Sequence, residues 1–169
     1  LTTNEKKIIL SRINGTTDYN KLSDCDLVIE AVNSRATTSD VQLTKDVFKR
    51  IESVVAEDTI IATNNSTVMI SEIASVLKKP DRVIGLHFMS PATLVKIVEV
   101  VKGIETSQKT YDIICRFAKM IDRKVITITE SLGHVSTRLI VTLINEACEL
   151  LIEGVASIEA IDKIMKEGY

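Results

Sequence analysis

Val83-Ile84-Gly85-Leu86-His87-Phe88-Met89-Ser90-Pro91 and, after Ala92-Thr93-Leu94, Val95-Lys96-Ile97-Val98-Glu99-Val100-Val101 read as two buried strands. β-Branched residues dominate both runs, and a Pro or Gly closes each. A strand interior is a costly place for an ionisable side chain unless it is paired. His87, one of two histidines in the chain, and Glu99 lie in these runs twelve residues apart. A turn at Pro91 can bring them side by side. A carboxylate that holds one imidazole nitrogen leaves the other free to take a proton near neutral pH. The alternative is a histidine satisfied in the core beside an unrelated strand glutamate.

Outward from this pair the chain alternates strand and helix periods. Ser11 to Thr16 is expected to form a short strand. Asp26 to Val32 is a second, apolar enough to be covered on both faces as in a parallel sheet. Asn33 to Ser39 is polar and turn-prone. Thr38 or Ser39 then caps a helix with the stripe Val47, Phe48, Ile51, Val54 and Val55. Thr59 to Thr63 is the next strand, and Ile70 to Leu77 a shorter helix stopped before Pro80. After the His87 and Glu99 strands, closed by Gly103, Ser107 caps a helix with the stripe Ile114, Phe117, Ala118 and Ile121. Lys124 to Thr129 is a last strand. The alternation predicts an α/β protein with a mostly parallel sheet.

Beyond Gly133 the period changes. Ile140, Leu143, Ile144, Ala147, Cys148 and Leu151 recur at helical spacing over Ser136 to Glu153. Ser157 caps a further helix, with Ile158, Ile161 and Ile164 or Met165 expected inward. A domain boundary is expected near Glu130, which divides the chain into 1–129 and 130–169.

Composition narrows the function classes. The chain has 169 residues, 45% hydrophobic and 26% charged, enough for one domain or one domain and a fragment. A net charge of −2 supplies no basic surface for nucleic acid. No apolar run approaches the roughly eighteen residues of a membrane helix. The start, Leu1-Thr2-Thr3-Asn4-Glu5-Lys6-Lys7, has neither the apolar core of a signal peptide nor an initiator Met, which suggests processing or a cut from something longer. Cys25, Cys115 and Cys148 are widely spaced in apolar runs, without metal-ligand spacing, and favour a reducing, cytoplasmic compartment. No metal site is expected. The six glycines include no two that stand two apart, so a Gly-x-Gly-x-x-Gly phosphate loop is absent.

Further motifs surround the pair: Asp24-Cys25-Asp26-Leu27-Val28-Ile29-Glu30-Ala31-Val32, Ile60-Ile61-Ala62-Thr63-Asn64-Asn65-Ser66, Gly133-His134-Val135-Ser136-Thr137-Arg138, Asn145-Glu146-Ala147 and Glu153-Gly154-Val155-Ala156. From about Ile13 to Tyr169 this succession resembles the NAD-dependent 3-hydroxyacyl-CoA dehydrogenases, including the bacterial 3-hydroxybutyryl-CoA dehydrogenases. The resemblance implies a partial Rossmann-like sheet followed by the first helices of an all-helical domain. Against that family the chain lacks the first βαβ unit and most of the helical domain, as a middle segment would. It also implies NAD as cofactor, an acyl-CoA substrate and a homo-oligomer.

The same resemblance assigns roles. His87 matches the family histidine that removes the 3-hydroxyl proton while hydride leaves C3 for the nicotinamide, and Glu99 matches its carboxylate partner. Ser66 matches a serine that hydrogen-bonds the substrate oxygen; simple turn chemistry is its other reading. Thr137 stands where the family has an asparagine that bonds the substrate carbonyl, and Ser90 replaces another asparagine. His134 replaces a phenylalanine and reads as a polar helix-entry residue. Near the nicotinamide half of NAD, Ala31 matches cleanly, Ser34 falls where a glutamate would be, and Thr44 falls where a lysine would be, with Lys45 next door. These departures leave a second expectation, a degenerate non-catalytic relative that acts as an interaction module. The strand Asp26 to Val32 is expected to expose an unpaired edge that invites association.

Overall fold

The computed structural model describes residues 2–32 and 38–168. Five strands form one sheet in chain order: β1 (Leu27–Glu30), β2 (Ile60–Thr63), β3 (Val83–Phe88), β4 (Ile97–Lys102) and β5 (Lys124–Thr129). Helices α2 (Thr38–Glu52), α3 (Ile70–Ala74) and α4 (Gln108–Met120) connect strands, α1 (Thr3–Leu10) precedes the sheet, and α5 (Ser136–Ile152) and α6 (Ile158–Glu167) follow it. The predicted α/β class with a mostly parallel, Rossmann-like sheet is what the structure shows: β1–β2, β2–β3 and β4–β5 pair parallel.

The exception is β3–β4, which pairs antiparallel. Eight residues, Met89 to Lys96, separate these strands, too few for the crossover of about a dozen that a parallel return needs. The hairpin register places His87 directly opposite Glu99, and Gly85 opposite Val101. Opposed residues share a face, so the two ionisable side chains point the same way by construction. Gly85 permits the close approach: a Cβ there would lie 2.7 Å from Val101 Cβ.

The three central strands are buried on both faces. Phe48, Ile51, Ile61, Ile70, Ile73, Val83 and Val101 form one core layer with α2 and α3. Ile60, Ala62, Ile84, Leu86, Val98 and Val100 form the other with Ile114 and Ala118 of α4. Alternate residues of each strand thus serve opposite layers, which explains the nearly continuous apolar runs. β1 and β5 are the edges, and Ile29 and Ile126 are exposed there.

Capping follows the sequence in two of the later helices. Ser107 Oγ accepts from the Thr110 amide, and Ser157 accepts from the Ala160 amide. α3 has no side-chain cap at Met69. Instead Glu130, just past β5, accepts from the Ser71 amide at 2.9 Å and from the Ser71 hydroxyl, while that hydroxyl oxygen accepts from the Ile104 amide at 2.7 Å.

Several expectations need correction: α2 ends at Glu52, before Val54 and Val55 of its expected stripe, and α3 at Ala74, short of Leu77. Ser11 to Thr16 is not a strand; α1 ends at Leu10 and the segment runs on as turn and irregular backbone. A capping box, with Thr2 and Glu5 satisfying each other's backbone donors, starts α1 and was readable as Thr-x-x-Glu. Ile121 caps α4 at its end and is 37% exposed, because the helix stops one residue before it. Ile158 and Ile164 are exposed, as is most of the apolar stripe of α5; neither helix buries a residue. His134 stands at the entry of α5 as expected, and there it is buried, 2% exposed. The expected caps of α2 at Thr38 or Ser39, and Ser34, lie outside the described side chains.

Candidate functional site

The carboxyl ends of β1, β2 and β3 lie along one side of the sheet, where open α/β folds bind ligands. Asn64 Oδ1 accepts from the Phe88 amide at 2.9 Å, which locks the turn after β2 to the end of β3. Glu30, 3% exposed, braces the neighbouring ends: its carboxylate accepts from the Val32 amide and from the Thr63 hydroxyl, both at 2.6 Å. In the sequence Glu30 appears only as one residue of the Asp24 to Val32 run.

At this rim His87 Nδ1 stands 2.7 Å from Glu99 Oε2. The carboxylate accepts, so Nδ1 carries the proton and Nε2 is the free basic nitrogen. Glu99 is 2% exposed and His87 14%, which places the carboxylate inside and the ring at the mouth. Two further donors reach the carboxylate from α5: the Ser136 amide to Oε1 at 3.0 Å and the Ser136 hydroxyl to Oε2 at 2.9 Å. Burial pushes the Glu99 carboxyl upward, but the bonds from His87 and Ser136 outweigh it and hold the group below its usual range. Ser136 was not among the expected site residues. A hydroxyl three residues after a glycine is too common a helix-entry feature to single out.

The next residue on α5 completes the cluster. Thr137 Oγ1 donates to Ser66 Oγ at 3.0 Å, and the Gly133 amide donates to the Ser66 carbonyl at 2.7 Å. The first turn of α5 therefore touches the dyad and the Ser66 turn at once, and four expected residues, Ser66, His87, Glu99 and Thr137, are brought together. Because Ser66 accepts from Thr137, its own hydroxyl proton stays available.

Two left-handed residues in succession set this turn, Gly133 at φ 78° and His134 at φ 49°. A non-glycine residue there is strained, and such strain concentrates at functional sites. The His134 ring meets His87 edge-on, with centroids 5.5 Å apart at 70°. Its Nδ1 donates to the Ser131 carbonyl at 3.1 Å, and its buried Nε2 makes no hydrogen bond of normal geometry. Burial pushes the imidazole below its usual range; the Ser131 carbonyl opposes this, and the neighbouring His87 adds to it.

The remaining expected residues sit elsewhere. Ala31 is exposed at the end of β1 and Ser90 at the β3–β4 turn. Lys45 Nζ pairs with Glu72 of α3 at 2.8 Å, a bond between helices. No cluster of three or more His, Cys, Asp or Glu with metal-binding geometry occurs among the described residues.

Residues 1–131 match the family model described as 3-hydroxyacyl-CoA dehydrogenase, NAD binding domain, and residues 133–169 match the model of the C-terminal domain of the same enzymes. The chain belongs to the 3-hydroxyacyl-CoA dehydrogenase family. It is 44% identical over 163 residues to the 3-hydroxybutyryl-CoA dehydrogenase of Clostridioides difficile, a match covering 96% of this chain and 56% of that protein. The crystal structure of the (S)-3-hydroxybutyryl-CoA dehydrogenase of Ralstonia eutropha superimposes with a TM-score of 0.87 at 38% identity, over 99% of this chain and 58% of that one. The Escherichia coli 3-hydroxybutyryl-CoA dehydrogenase superimposes with a TM-score of 0.85 at 32% identity, over 99% of this chain and 34% of that one. The chain thus spans about half the length of the curated relatives it matches.

Proposed function

We propose that this dehydrogenase-family chain serves NAD-dependent oxidoreduction at C3 of a 3-hydroxyacyl-CoA or 3-ketoacyl-CoA. The observation that carries the reading is the 2.7 Å His87–Glu99 pair standing against the Ser66–Thr137 contact, through one helix turn. His87 Nε2 takes the 3-hydroxyl proton, and Glu99 stabilises the imidazolium that results. The Ser66 hydroxyl donates to the same substrate oxygen, and Thr137 holds Ser66 in place. Removal of one such donor typically costs about 10²–10³ in rate. Bound NAD⁺ supplies the acceptor for the hydride that leaves C3 as its C–O bond becomes a carbonyl.

The fit to that cofactor is uneven along its length. Ala31 at the end of β1 and Ser66 and Ser90 around His87 suit the nicotinamide end. Ser34 and Lys45 complete the residues assigned to the cofactor, although Lys45 is engaged by Glu72. No Gly-x-Gly-x-x-Gly turn is present to cradle a pyrophosphate.

One alternative is a non-catalytic interaction module, favoured by Ser90 and Thr137 standing where the family has asparagines. Either reading suits a homo-oligomer, since β1 is a sheet edge and α5 exposes an apolar stripe. A cytoplasmic setting is supported by the free thiols of Cys25, Cys115 and Cys148 and by the absence, among the described residues, of a helix long and apolar enough to cross a membrane.

The deciding assay is NADH oxidation with acetoacetyl-CoA by the chain and by His87→Ala. Turnover reduced about 10²–10⁴-fold in the variant supports the dehydrogenase reading. Equal rates from both, or none from a chain shown to be folded by circular dichroism, defeats it for this chain.

A further inference from the structure

A carboxylate beside an imidazole favours the charged ring, yet a base that already holds a proton cannot take one from a substrate. A donor placed on the carboxylate oxygen that faces the ring counters this pull, because it draws negative charge away from the imidazole. Ser136 occupies that place. Its hydroxyl donates to Oε2 at 2.9 Å, the same atom that stands 2.7 Å from His87 Nδ1, and its amide occupies Oε1 at 3.0 Å. The left-handed Gly133–His134 turn and the Gly133 bond to Ser66 fix where Ser136 stands.

We infer that Ser136 is a positioning residue that weakens the hold of Glu99 on His87 and so keeps the base neutral. The inference rests on the role proposed for His87. The titratable groups that face His87 are Glu99 from β4 and His134 from the entry of α5. Ser66 and Thr137 contribute only hydroxyls, and Arg138 directs its guanidinium to Ser131 at 3.2 Å.

A pH titration of the imidazole resonances by NMR tests this directly, because the chain has two histidines and His134→Phe assigns them. Ser136→Ala moves the His87 midpoint upward by about half a pH unit, and Ser136→Thr, which keeps the hydroxyl, returns it. A midpoint that stays put overturns the inference. So does one that moves downward, the result expected if Ser136 merely orients the carboxylate. The readout needs no turnover. An upward shift in a chain that does not oxidise NADH sustains the electrostatic role and sinks the dehydrogenase reading, whereas turnover without a shift does the reverse.

Discussion

Replacement of Glu99 by Gln is the sharpest perturbation of this structure. The native carboxylate accepts three bonds: from His87 Nδ1 and the Ser136 hydroxyl on Oε2, and from the Ser136 amide on Oε1. Glutamine keeps one acceptor oxygen. Whichever way it turns, its NH₂ faces at least one of these donors inside a site where residue 99 is 2% exposed. One charge-assisted bond, worth roughly 1.5–3 kcal/mol, is lost, and the others fall to neutral strength of about 1 kcal/mol. The expected loss of stability at pH 7 is about 3 kcal/mol.

The pH dependence supplies the sign. The folded-state pKa of Glu99 lies below its ordinary 4.5, so its contribution is complete above that value and is lost as pH falls through the folded pKa. Below it the wild-type carboxyl is itself protonated and resembles the amide. Urea unfolding followed by circular dichroism at pH 7, 5.5, 4.5 and 3.5 therefore shows a wide gap between wild type and variant that narrows only below about pH 4.5. It closes by at most about 1.4 kcal/mol per pH unit. A gap under 1 kcal/mol at pH 7, or one that stays constant to pH 3.5, refutes the reasoning.

Two further outcomes follow from other parts of the fold. Burial holds the His134 imidazole below its ordinary 6.5, so the unfolded chain binds a proton that the native state refuses. Stability falls as pH drops from about 6.5, and His134→Phe removes that part of the slope; identical urea midpoint differences between pH 7.5 and 5.5 in both proteins would show that it does not. Gly85→Ala drives a Cβ to 2.7 Å from Val101 Cβ and 3.0 Å from Ile70 Cδ1. It lowers stability by about 1–3 kcal/mol and the melting temperature with it, measured by calorimetry.

The sequence made the sheet legible because its strands are short apolar runs punctuated by Gly, Pro and capping residues. β5 begins and ends where the pattern placed it, and the hairpin that opposes His87 and Glu99 follows from the brevity of the Met89–Lys96 connection. What escaped was long-range. The capping role of Glu130 toward Ser71 spans 59 residues, and the contacts of Ser136 with Glu99 span 37, so no local period reports either. α1 escaped for a different reason: its start rests on the local Thr2–Glu5 capping box, while the strand expected nearby, Ser11 to Thr16, lies beyond the helix and is irregular. The burial of His134 was hidden because a histidine at a helix entry is most often solvated, and its left-handed backbone cannot be read from residue type.

The Glu130 contact has a consequence for how the molecule opens. One carboxylate gathers the exit of the sheet and the first turn of α3, and through the Ser71 hydroxyl it reaches the chain just past β4. None of these segments can fray alone without stranding a partner's donor, so their amides should exchange with solvent as one cooperative unit. The turn that follows residue 130 is tied in as well, through the Gly133 amide on the Ser66 carbonyl and the His134 ring against His87.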